Sequence, residues 1–513
     1  MEILKTAISV VTIIIFTAAW RILKWLWLDP KKKERILRQQ GFKGNPYTFR
    51  RLLFGDEKEI QKIHAEAWSK PVNIRDEVQT GKRAAPFIFR TYEKYGKKAF
   101  VWAGLRPKVF IMEPDHMKTI FFNHSTFQKN FKVTNSVVQE LITGIIRFEG
   151  EEWSKRRTIM SPKFQLEKLK QMIPLVLKCS DQVIIEWKKL VSNSKDGSYT
   201  LDVCHDIEEL ISGVTSQFLF GIDYAKDKEI FHLITQLSEL TKQATKVSNL
   251  PGSKFLPTET NRKSKRLTKE LHQRLYKLMC ERKKAIKEGK VVEDNVFNML
   301  LESEIANNQD EMIGHMKGFV FNSHDTTAFV LVWNLILLCI YSEWQDRARE
   351  EVFRVFGNRR PDYEGLSQLK VLPMFMNEVL RLYPPLVELS RFLEEEIKLG
   401  EYTLPADIQV IMPTILVHRD PEFWGEDANE FKPERFAEGV LKATNGQAVF
   451  FPFAWGPRIC IGYNMALLQV KLVLADLLRN FSFEISPTYE HAPRVVFTQQ
   501  PQYGAPIILR NLN

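Results

Sequence analysis

The chain has 513 residues, and 44% of them are hydrophobic, which is ample for a large buried core. Its formal net charge is +11, with 73 Lys and Arg residues against 62 Asp and Glu residues. Because we find no nucleic-acid-binding motif, this charge indicates an anionic membrane, an acidic protein partner, or simply a lysine-rich surface. The five cysteines are scattered along the chain, which excludes a disulfide framework and indicates a reducing compartment.

The N-terminal segment carries the membrane signal. Residues 6–20 have no charge, and Arg21 and Lys24 then interrupt an apolar run that continues to position 28. Long basic side chains near a helix end can reach the membrane interface, where tryptophan is also favoured. We therefore predict one transmembrane anchor helix within residues 1–28. A cleaved signal peptide is the less favoured alternative, because basic residues follow the apolar run and place the body on the cytosolic side.

The rest of the chain shows no repeats and no low-complexity linker. Residues 29–55 are predicted to form a basic, turn-containing connector. Residues 258–360 contain no proline, which permits long helices, and residues 310–341 are predicted to form one long apolar helix. The expected fold is mainly α with small β-sheets near both ends. Short β-like runs occur at residues 408–412, 495–498 and 507–509.

Cys460 lies in a segment whose residue types suit a metal-bound thiolate. The glycines permit turns that wrap a sulfur closely, and the arginine can pair with an acidic group on a cofactor. A helix predicted over residues 464–472 would favour a negative charge on the sulfur. The alternative is a buried structural cysteine. The segment reads Phe453-Ala454-Trp455-Gly456-Pro457-Arg458-Ile459-Cys460-Ile461-Gly462.

This pattern resembles the haem-binding loop of the cytochromes P-450, the haem-thiolate monooxygenases. The resemblance implies that Cys460 ligates the iron of haem b and that Phe453, Arg458 and Gly462 surround the cofactor. It covers nearly the whole chain and is similar to the plant clan that includes secologanin synthase. It therefore implies a cytochrome P-450 fold, with residues 56–513 forming one haem-thiolate catalytic domain.

The resemblance also implies partners and a location. O2, a hydrophobic small-molecule substrate and membrane lipid are expected, and so is an NADPH–cytochrome reductase, since the chain has no dinucleotide-binding glycine motif of its own. We expect a single-pass protein of the endoplasmic reticulum membrane with a cytosolic catalytic body. Its expected reaction is the oxidation of a plant specialised metabolite or hormone of terpenoid or alkaloid type.

The predicted long helix carries polar residues on one face. Phe319, Asn322, Ser323 and Thr326 recur at helical spacing, and Asp325 precedes Thr326. An acid beside a hydroxyl can relay protons through water, which is the role that the resemblance implies. The alternative is that the hydroxyl groups bond back to their own helix.

The family usually reads Ala/Gly-Gly-x-Asp/Glu-Thr-Thr at this place, whereas this chain has Asn322 and Ser323 in place of the small pair. One interpretation is a tolerated swap with ordinary hydroxylation. The other is a retuned oxygen pocket, which would lead to desaturation, ring rearrangement, C–C cleavage, isomerisation or dehydration.

Two further motifs match the family. Glu378 and Arg381 are one helical turn apart among apolar residues, and with Arg435 they are expected to form a structural lock behind the haem. Trp153 and Arg157 match the Trp-x-x-x-Arg helix that contacts a haem propionate. Arg391 and Arg458 are the other expected propionate partners, and a surface position is the alternative for Arg391.

The substrate pocket is implied by the resemblance alone. It is expected around residues 134–146 and from Phe319, Leu389 and Phe497, together with the polar pair on the long helix. Glu388 lies where an apolar pocket residue is expected. Its carboxylate either pairs with a cationic amine of an alkaloid substrate or turns to solvent.

Overall fold

The computed structural model describes residues 2–52, 54–129, 136–221, 224–244, 257–290 and 294–512, so residues 134 and 135 of the predicted pocket loop lie outside the described part. Helices dominate the fold, as predicted. They are α1 (Glu2–Leu23), α2 (Asp29–Gln39), α3 (Glu57–Ala67), α4 (Glu77–Ala84), α5 (Pro86–Tyr95), α6 (Pro114–Phe122), α7 (Ser136–Leu141), α8 (Gly150–Met160), α9 (Leu166–Lys170), α10 (Ile173–Ser192), α11 (Val203–Phe220), α12 (Tyr224–Ala244), α13 (Glu259–Lys287), α14 (Val296–Glu302), α15 (Gln309–Ile340), α16 (Ser342–Phe356), α17 (Tyr363–Gln368), α18 (Val371–Leu382), α19 (Thr414–Val417), α20 (Pro421–Trp424), α21 (Val440–Ala443) and α22 (Tyr463–Asn480).

The strands form small sheets that join distant parts of the chain. A five-stranded sheet has the order β1-β2-β3-β8-β5, a three-stranded sheet has the order β4-β12-β9, and β6-β7 and β10-β11 are two-stranded. The strands are β1 (Lys43–Gly44), β2 (Ala99–Ala103), β3 (Arg106–Phe110), β4 (Ser198–Asp202), β5 (Leu389–Leu393), β6 (Ile397–Leu399), β7 (Tyr402–Leu404), β8 (Ile408–Met412), β9 (Phe481–Ile485), β10 (Pro493–Val495), β11 (Gln499–Pro501) and β12 (Pro506–Asn511).

The predicted anchor helix is present but longer than expected. Helix α1 continues through a π-helical segment, Lys24–Leu28, directly into α2, so that the helix crosses the expected boundary at residue 28. Its apolar window has a mean hydropathy of 2.0 and is not buried by the protein, which makes it a candidate membrane anchor. The other helix of sufficient length and hydropathy is α15, which is mostly buried in the core.

Contacts with the body hold the end of this helix. The hydroxyl of Tyr47 donates to the carbonyl of Leu26 at 3.0 Å. The ammonium of Lys33 contacts the carboxylate of Asp407 at 2.6 Å, and the guanidinium of Arg106 on β3 contacts the same carboxylate at 2.6 Å. The helix is therefore fixed against the five-stranded sheet as it leaves its apolar part.

The core is built around α15, against which α11 and α22 pack, and α10 packs on α11 and α22. The prediction of a long apolar helix over residues 310–341 is confirmed by α15, and the strands expected at 408–412 and 507–509 are confirmed by β8 and β12. The strand expected at 495–498 is wrong. Residues 496–498 form the bend between β10 and β11, because the chain reverses there to make an antiparallel hairpin.

Helix α18 begins on a buried carboxylate. Glu351 of α16 is 3% exposed, and its two oxygens accept hydrogen bonds from the backbone N–H groups of Lys370, Val371 and Leu372 at 2.7–3.2 Å. These N–H groups have no partner within their own helix, and the helix dipole favours a negative charge at this end. The interaction sets the position of α18, which carries Glu378 and Arg381.

We therefore expect Glu351→Gln to lower the free energy of unfolding by roughly 2 kcal/mol, because one carboxylate oxygen that accepts backbone hydrogen bonds is replaced by a donor. The midpoint of urea unfolding checks this. Glu350→Gln, at the exposed neighbouring position, is the matched control and should leave the midpoint unchanged. An equal effect of the two substitutions would contradict this role for Glu351.

Candidate active site

The Cys460 loop is wrapped as tightly as its glycines suggest. The backbone N–H of Cys460 donates to the carbonyl of Phe453 at 2.9 Å. Gly456 has a φ of +72°, and a Cβ added there would lie 2.8 Å from the carbonyl oxygen of Phe121, so the turn requires glycine. Helix α22 begins directly after Gly462, as the sequence predicted.

The sulfur of Cys460 faces an internal space. Its side chain is accessible, yet protein encloses it, and this burial raises the pKa of the thiol. Three groups act in the opposite direction and favour the thiolate, namely the backbone N–H of Gly462 and the cations of Lys129 and Arg157. The site therefore holds a sulfur whose negative charge depends on further positive charge close by.

Two buried arginines lie near this sulfur with unused donors. Arg458 donates to Glu149 at 2.6 Å, and its guanidinium lies 4.6 Å from the ring centroid of Trp153. Arg391 is 3% exposed and donates to the carbonyl of Ser390 at 2.8 Å. Burial lowers the pKa of Arg391 to about 10. In both guanidinium groups the Nη2 atom lacks a hydrogen-bond partner among the described residues.

Lys129 is a site residue that sequence reasoning missed. Its backbone N–H donates to Glu149 at 2.8 Å. Burial holds the pKa of its ammonium well below the usual value, and the neighbouring cations Arg391 and Arg458 lower it further. No motif or spacing marks this lysine, because the contact with Glu149 joins two separate parts of the chain.

These residues fit a haem. Buried cations cost several kcal/mol each unless an anion pairs with them, and Arg391 and Arg458 each have a nitrogen with no hydrogen-bond partner in the described part of the chain. The carboxylates of a haem propionate pair would supply that charge, and the iron would take the thiolate of Cys460. Arg157 lies one turn from Trp153 on α8, and burial lowers the pKa of its guanidinium in the same way.

The polar side chains of α15 bond back to their own helix, which was the alternative to a proton relay. The side chains of Asn322, Ser323 and Thr326 donate to the backbone carbonyls four residues earlier, at 2.6, 2.8 and 2.7 Å. Asn322 is nevertheless exposed in the middle of a mostly buried helix, so it borders an internal space. The carboxylate of Asp325 contacts the ring of the preceding residue, His324, at 2.6 Å.

The structure brings Glu378, Arg381 and Arg435 together. Arg381 binds both carboxylate oxygens of Glu378, at 2.7 and 2.8 Å, and both side chains are fully buried. Arg435 approaches the same carboxylate at 3.5 Å. Arg381 also donates to the carbonyls of His418 and Ala428, so the cluster joins α18 to the segment that follows α19.

A cleft of about 1020 Å³ lies between the anchor helix, the five-stranded sheet and the β10–β11 hairpin. Glu388 and Phe497 line it, whereas Leu389 pairs with Met412 in the sheet and Phe319 stacks on Phe164 of the core. The carboxylate of Glu388 lies 3.7 Å from the ammonium of Lys108 on β3. The predicted pocket residues therefore do not share one surface. The walls of the cleft include Trp25, Lys33, Trp68, Phe110 and Ile411.

A cysteine on a tight loop before a long helix, buried cations around its sulfur and a buried Glu-Arg-Arg cluster define a haem-thiolate protein. Comparison with known proteins agrees with this class. The family model described as Cytochrome P450 matches residues 47–503. The chain belongs to the cytochrome P450 family and is a monooxygenase that uses haem with a cysteine thiolate as the iron ligand.

Similar proteins come from plants. The chain is 44% identical to 7-deoxyloganic acid hydroxylase of Catharanthus roseus, over 100% of each chain. It is 42% identical to secologanin synthase 2 of the same plant, over 100% of this chain and 98% of the relative. It is 44% identical to Cytochrome P450 CYP72A219 of Panax ginseng, over 98% and 97% of the two chains. These relatives bear out the resemblance that the sequence motifs indicated.

We expect Arg391→Met to increase the rate of haem loss to an acceptor protein about tenfold, because a charge-assisted hydrogen bond to a propionate is removed. The same change should not lower the unfolding free energy of the haem-free protein, since it removes a buried cation with an unpaired nitrogen. Arg90→Met, on the exposed face of α5, is the control. A rate of haem loss equal to that of the control would show that Arg391 does not hold the cofactor.

Proposed function

We propose that this protein is a single-pass monooxygenase of the endoplasmic reticulum membrane with its catalytic body in the cytosol. It oxidises a hydrophobic plant metabolite of terpenoid or alkaloid type, using O2 and electrons from NADPH that a separate reductase delivers. The observation that carries this proposal is the sulfur of Cys460 among buried, incompletely paired cations. The exposed apolar helix at the N-terminus supports the membrane location.

The residues that would hold the haem are those of the cation cluster. Cys460 would ligate the iron, and Lys129, Arg157, Arg391 and Arg458 would face the propionates. When bound, the haem supplies oxygen activation, and a thiolate ligand favours cleavage of the O–O bond. The buried Glu-Arg-Arg cluster would keep the loop side of the cofactor in place, which is a structural role.

Asp325 and Thr326 would deliver protons on the opposite side. A carboxyl group and a hydroxyl group next to each other can pass protons through water to the reacting oxygen atoms. Thr326 is half-buried, and its hydroxyl donates to the carbonyl of Asn322, so it is positioned by its own helix.

The substrate would enter through the cleft beside the anchor helix. Its walls combine apolar side chains with a few charged ones, which suits an amphipathic small molecule that partitions into lipid. Of the three named relatives, one is a 7-deoxyloganic acid hydroxylase and another is a secologanin synthase. We infer that the substrate of this chain is a plant terpenoid or alkaloid of comparable size.

A second candidate function follows from Asn322 and Ser323. Their side chains place an amide and a hydroxyl where the family usually has small residues, and both are satisfied by backbone carbonyls. Such polar bulk beside the oxygen site favours a changed outcome, namely desaturation, C–C cleavage, rearrangement, isomerisation or dehydration.

Labelled dioxygen separates the two candidates. We would express the full chain with a plant NADPH–cytochrome reductase, screen terpenoids and alkaloids for spectral binding shifts, and analyse the products formed under ¹⁸O2. Label in the product is expected for the monooxygenase. An unlabelled product that needs the intact protein would instead favour the second candidate, with a need for NADPH indicating desaturation and formation without NADPH indicating isomerisation or dehydration.

We expect the double substitution Asn322→Ala and Ser323→Gly to change the ratio of products, because it opens space beside the oxygen site. The product profile of the wild type and of the double variant, measured with the same substrate, checks this. Thr327→Ser, a buried neighbour on α15, is the control for general effects on the helix. If the double variant gives the same products in the same ratio as the wild type, the polar pair does not determine the product.

Glu388 remains a candidate contact for a cationic substrate. Its distance of 3.7 Å to Lys108 exceeds hydrogen-bond range, so the carboxylate can take a closer cation. We expect Glu388→Gln to weaken the binding of an apolar alkaloid amine about tenfold and to leave the binding of its uncharged amide unchanged, as spectral titration would show. Glu396→Gln, which also alters the cleft, is the control. Equal affinity of wild type and Glu388→Gln for the amine would mean that Glu388 does not bind it.

A further inference from the structure

His324 occupies the variable position in the polar segment of α15, directly before Asp325. The Nδ1 atom of its ring lies 2.6 Å from a carboxylate oxygen of Asp325. The side chains are 12% and 26% exposed, so water screens this ion pair only weakly. The acid that the family uses for proton delivery is therefore held by a neighbouring histidine in this chain.

A second helix holds the same ring. Glu208 on α11 lies beside the ring, close enough for its backbone and its carboxyl group to favour the charged form of His324. The ring of Phe231 on α12 packs edge-on at a centroid distance of 6.0 Å. His324 is thus fixed from three helices.

This arrangement favours a charged ring. A carboxylate oxygen lies 2.6 Å from one ring nitrogen, and the charge of Glu208 lies beside the ring, so the positive imidazolium with two N–H donors is stabilised. Burial alone would lower the pKa of His324, but the hydrogen bond and charge of Asp325 and the charge of Glu208 outweigh it and raise the pKa. Burial also raises the pKa of Glu208, whose other charged neighbours are Asp202 and His205 on the same segment.

We propose that His324 is a positioning residue that stores the proton delivered by Asp325. While the ring is charged, it holds the carboxylate of Asp325 on its side, and the hydroxyl of Thr326 donates to Asn322 instead. This inference rests on the proposed role of Asp325 and Thr326 in proton delivery.

The transfer is balanced in protons and moves no electrons. The proton on Nδ1 passes to the carboxylate of Asp325, which becomes a neutral acid, while the other ring nitrogen keeps its proton. The ion pair is lost, so the acid is released toward Thr326 and becomes a carboxylate again by giving its proton to that hydroxyl group. The hydroxyl group passes its own proton on to water at the site of oxygen chemistry. A hydronium ion from solvent then gives one proton to His324 and leaves as water.

The first experiment measures stability and does not depend on activity. Because the pKa of His324 is raised in the folded protein, the pair stabilises fully below the unfolded value of about 6.5, and this stabilisation is lost as pH rises through the folded value. The thermal midpoint of the holoprotein, followed from about pH 5 to about pH 9, should show this loss. This decrease of the thermal midpoint with rising pH, here called the step, should be absent in His324→Gln. It should also be absent in Asp325→Asn, which removes the other member of the pair.

The control is His272→Gln. His272 contacts Asp310 at 3.1 Å in a pair that is largely exposed, and removing it should leave the step in the pH profile intact. A wild-type profile that coincides with those of both His324→Gln and Asp325→Asn would overturn the proposal.

The second experiment measures proton delivery. With the reductase, NADPH and no added substrate, the ratio of hydrogen peroxide released to O2 consumed should rise at least about threefold in His324→Gln, less than the loss of a general acid itself would cause, because His324 acts only through Asp325. The dependence of this ratio on pH should flatten. A changed stability profile with an unchanged peroxide ratio would leave a structural role only and would overturn the proposal. If the wild type consumes no O2 with NADPH even when the screened substrates are added, the proposed function fails, whereas the stability experiment still tests the pair.

Discussion

The structure depends on one electrostatic constraint, which is the enclosure of several cations around a single sulfur. Lys129, Arg157, Arg391 and Arg458 all have pKa values lowered by burial, and Glu149 contacts two of these residues. Such positive charges are costly inside a protein unless an anionic group pairs with them. The tight Cys460 loop, the position of α18 and the Glu-Arg-Arg cluster keep the surrounding elements in place, so that a haem can supply the missing charge.

The polar residues of α15, which we propose to lie on the other side of the haem, are not arranged around unpaired charge. Polar residues there are satisfied within α15 or by a neighbouring helix, and none of the contacts described requires the cofactor. We therefore propose that Asn322, Ser323 and His324 alter how protons and oxygen are handled while the thiolate loop keeps the cofactor.

Much of this could be predicted from the sequence. The long helix α15 could be predicted from its apolar composition and its lack of proline, whereas the roles of Cys460 and of Glu378 with Arg381 were predicted from motifs that resemble those of the family. The end of the anchor helix could not be placed, because the lysines and arginines after residue 28 are also good helix formers. The hairpin bend at 496–498 was mistaken for a strand, since its β-branched and aromatic residues are those of strands.

The contacts that sequence patterns could not reveal join distant segments. Lys129 meets Glu149 and Arg458 only after folding, and His324 meets Glu208 across two helices. No spacing within one element encodes these pairs. They depend on how helices pack, and they decide the charge state of the site.

The absorbance spectrum of the reduced, carbon monoxide-bound protein tests the central claim most directly. Ligation by the Cys460 thiolate predicts the long-wavelength Soret band that distinguishes haem-thiolate proteins from histidine-ligated ones. Loss of that band in Cys460→Ser, with haem still bound, would agree with the account. A wild-type spectrum of the histidine-ligated type, in a folded protein with haem bound, would contradict it.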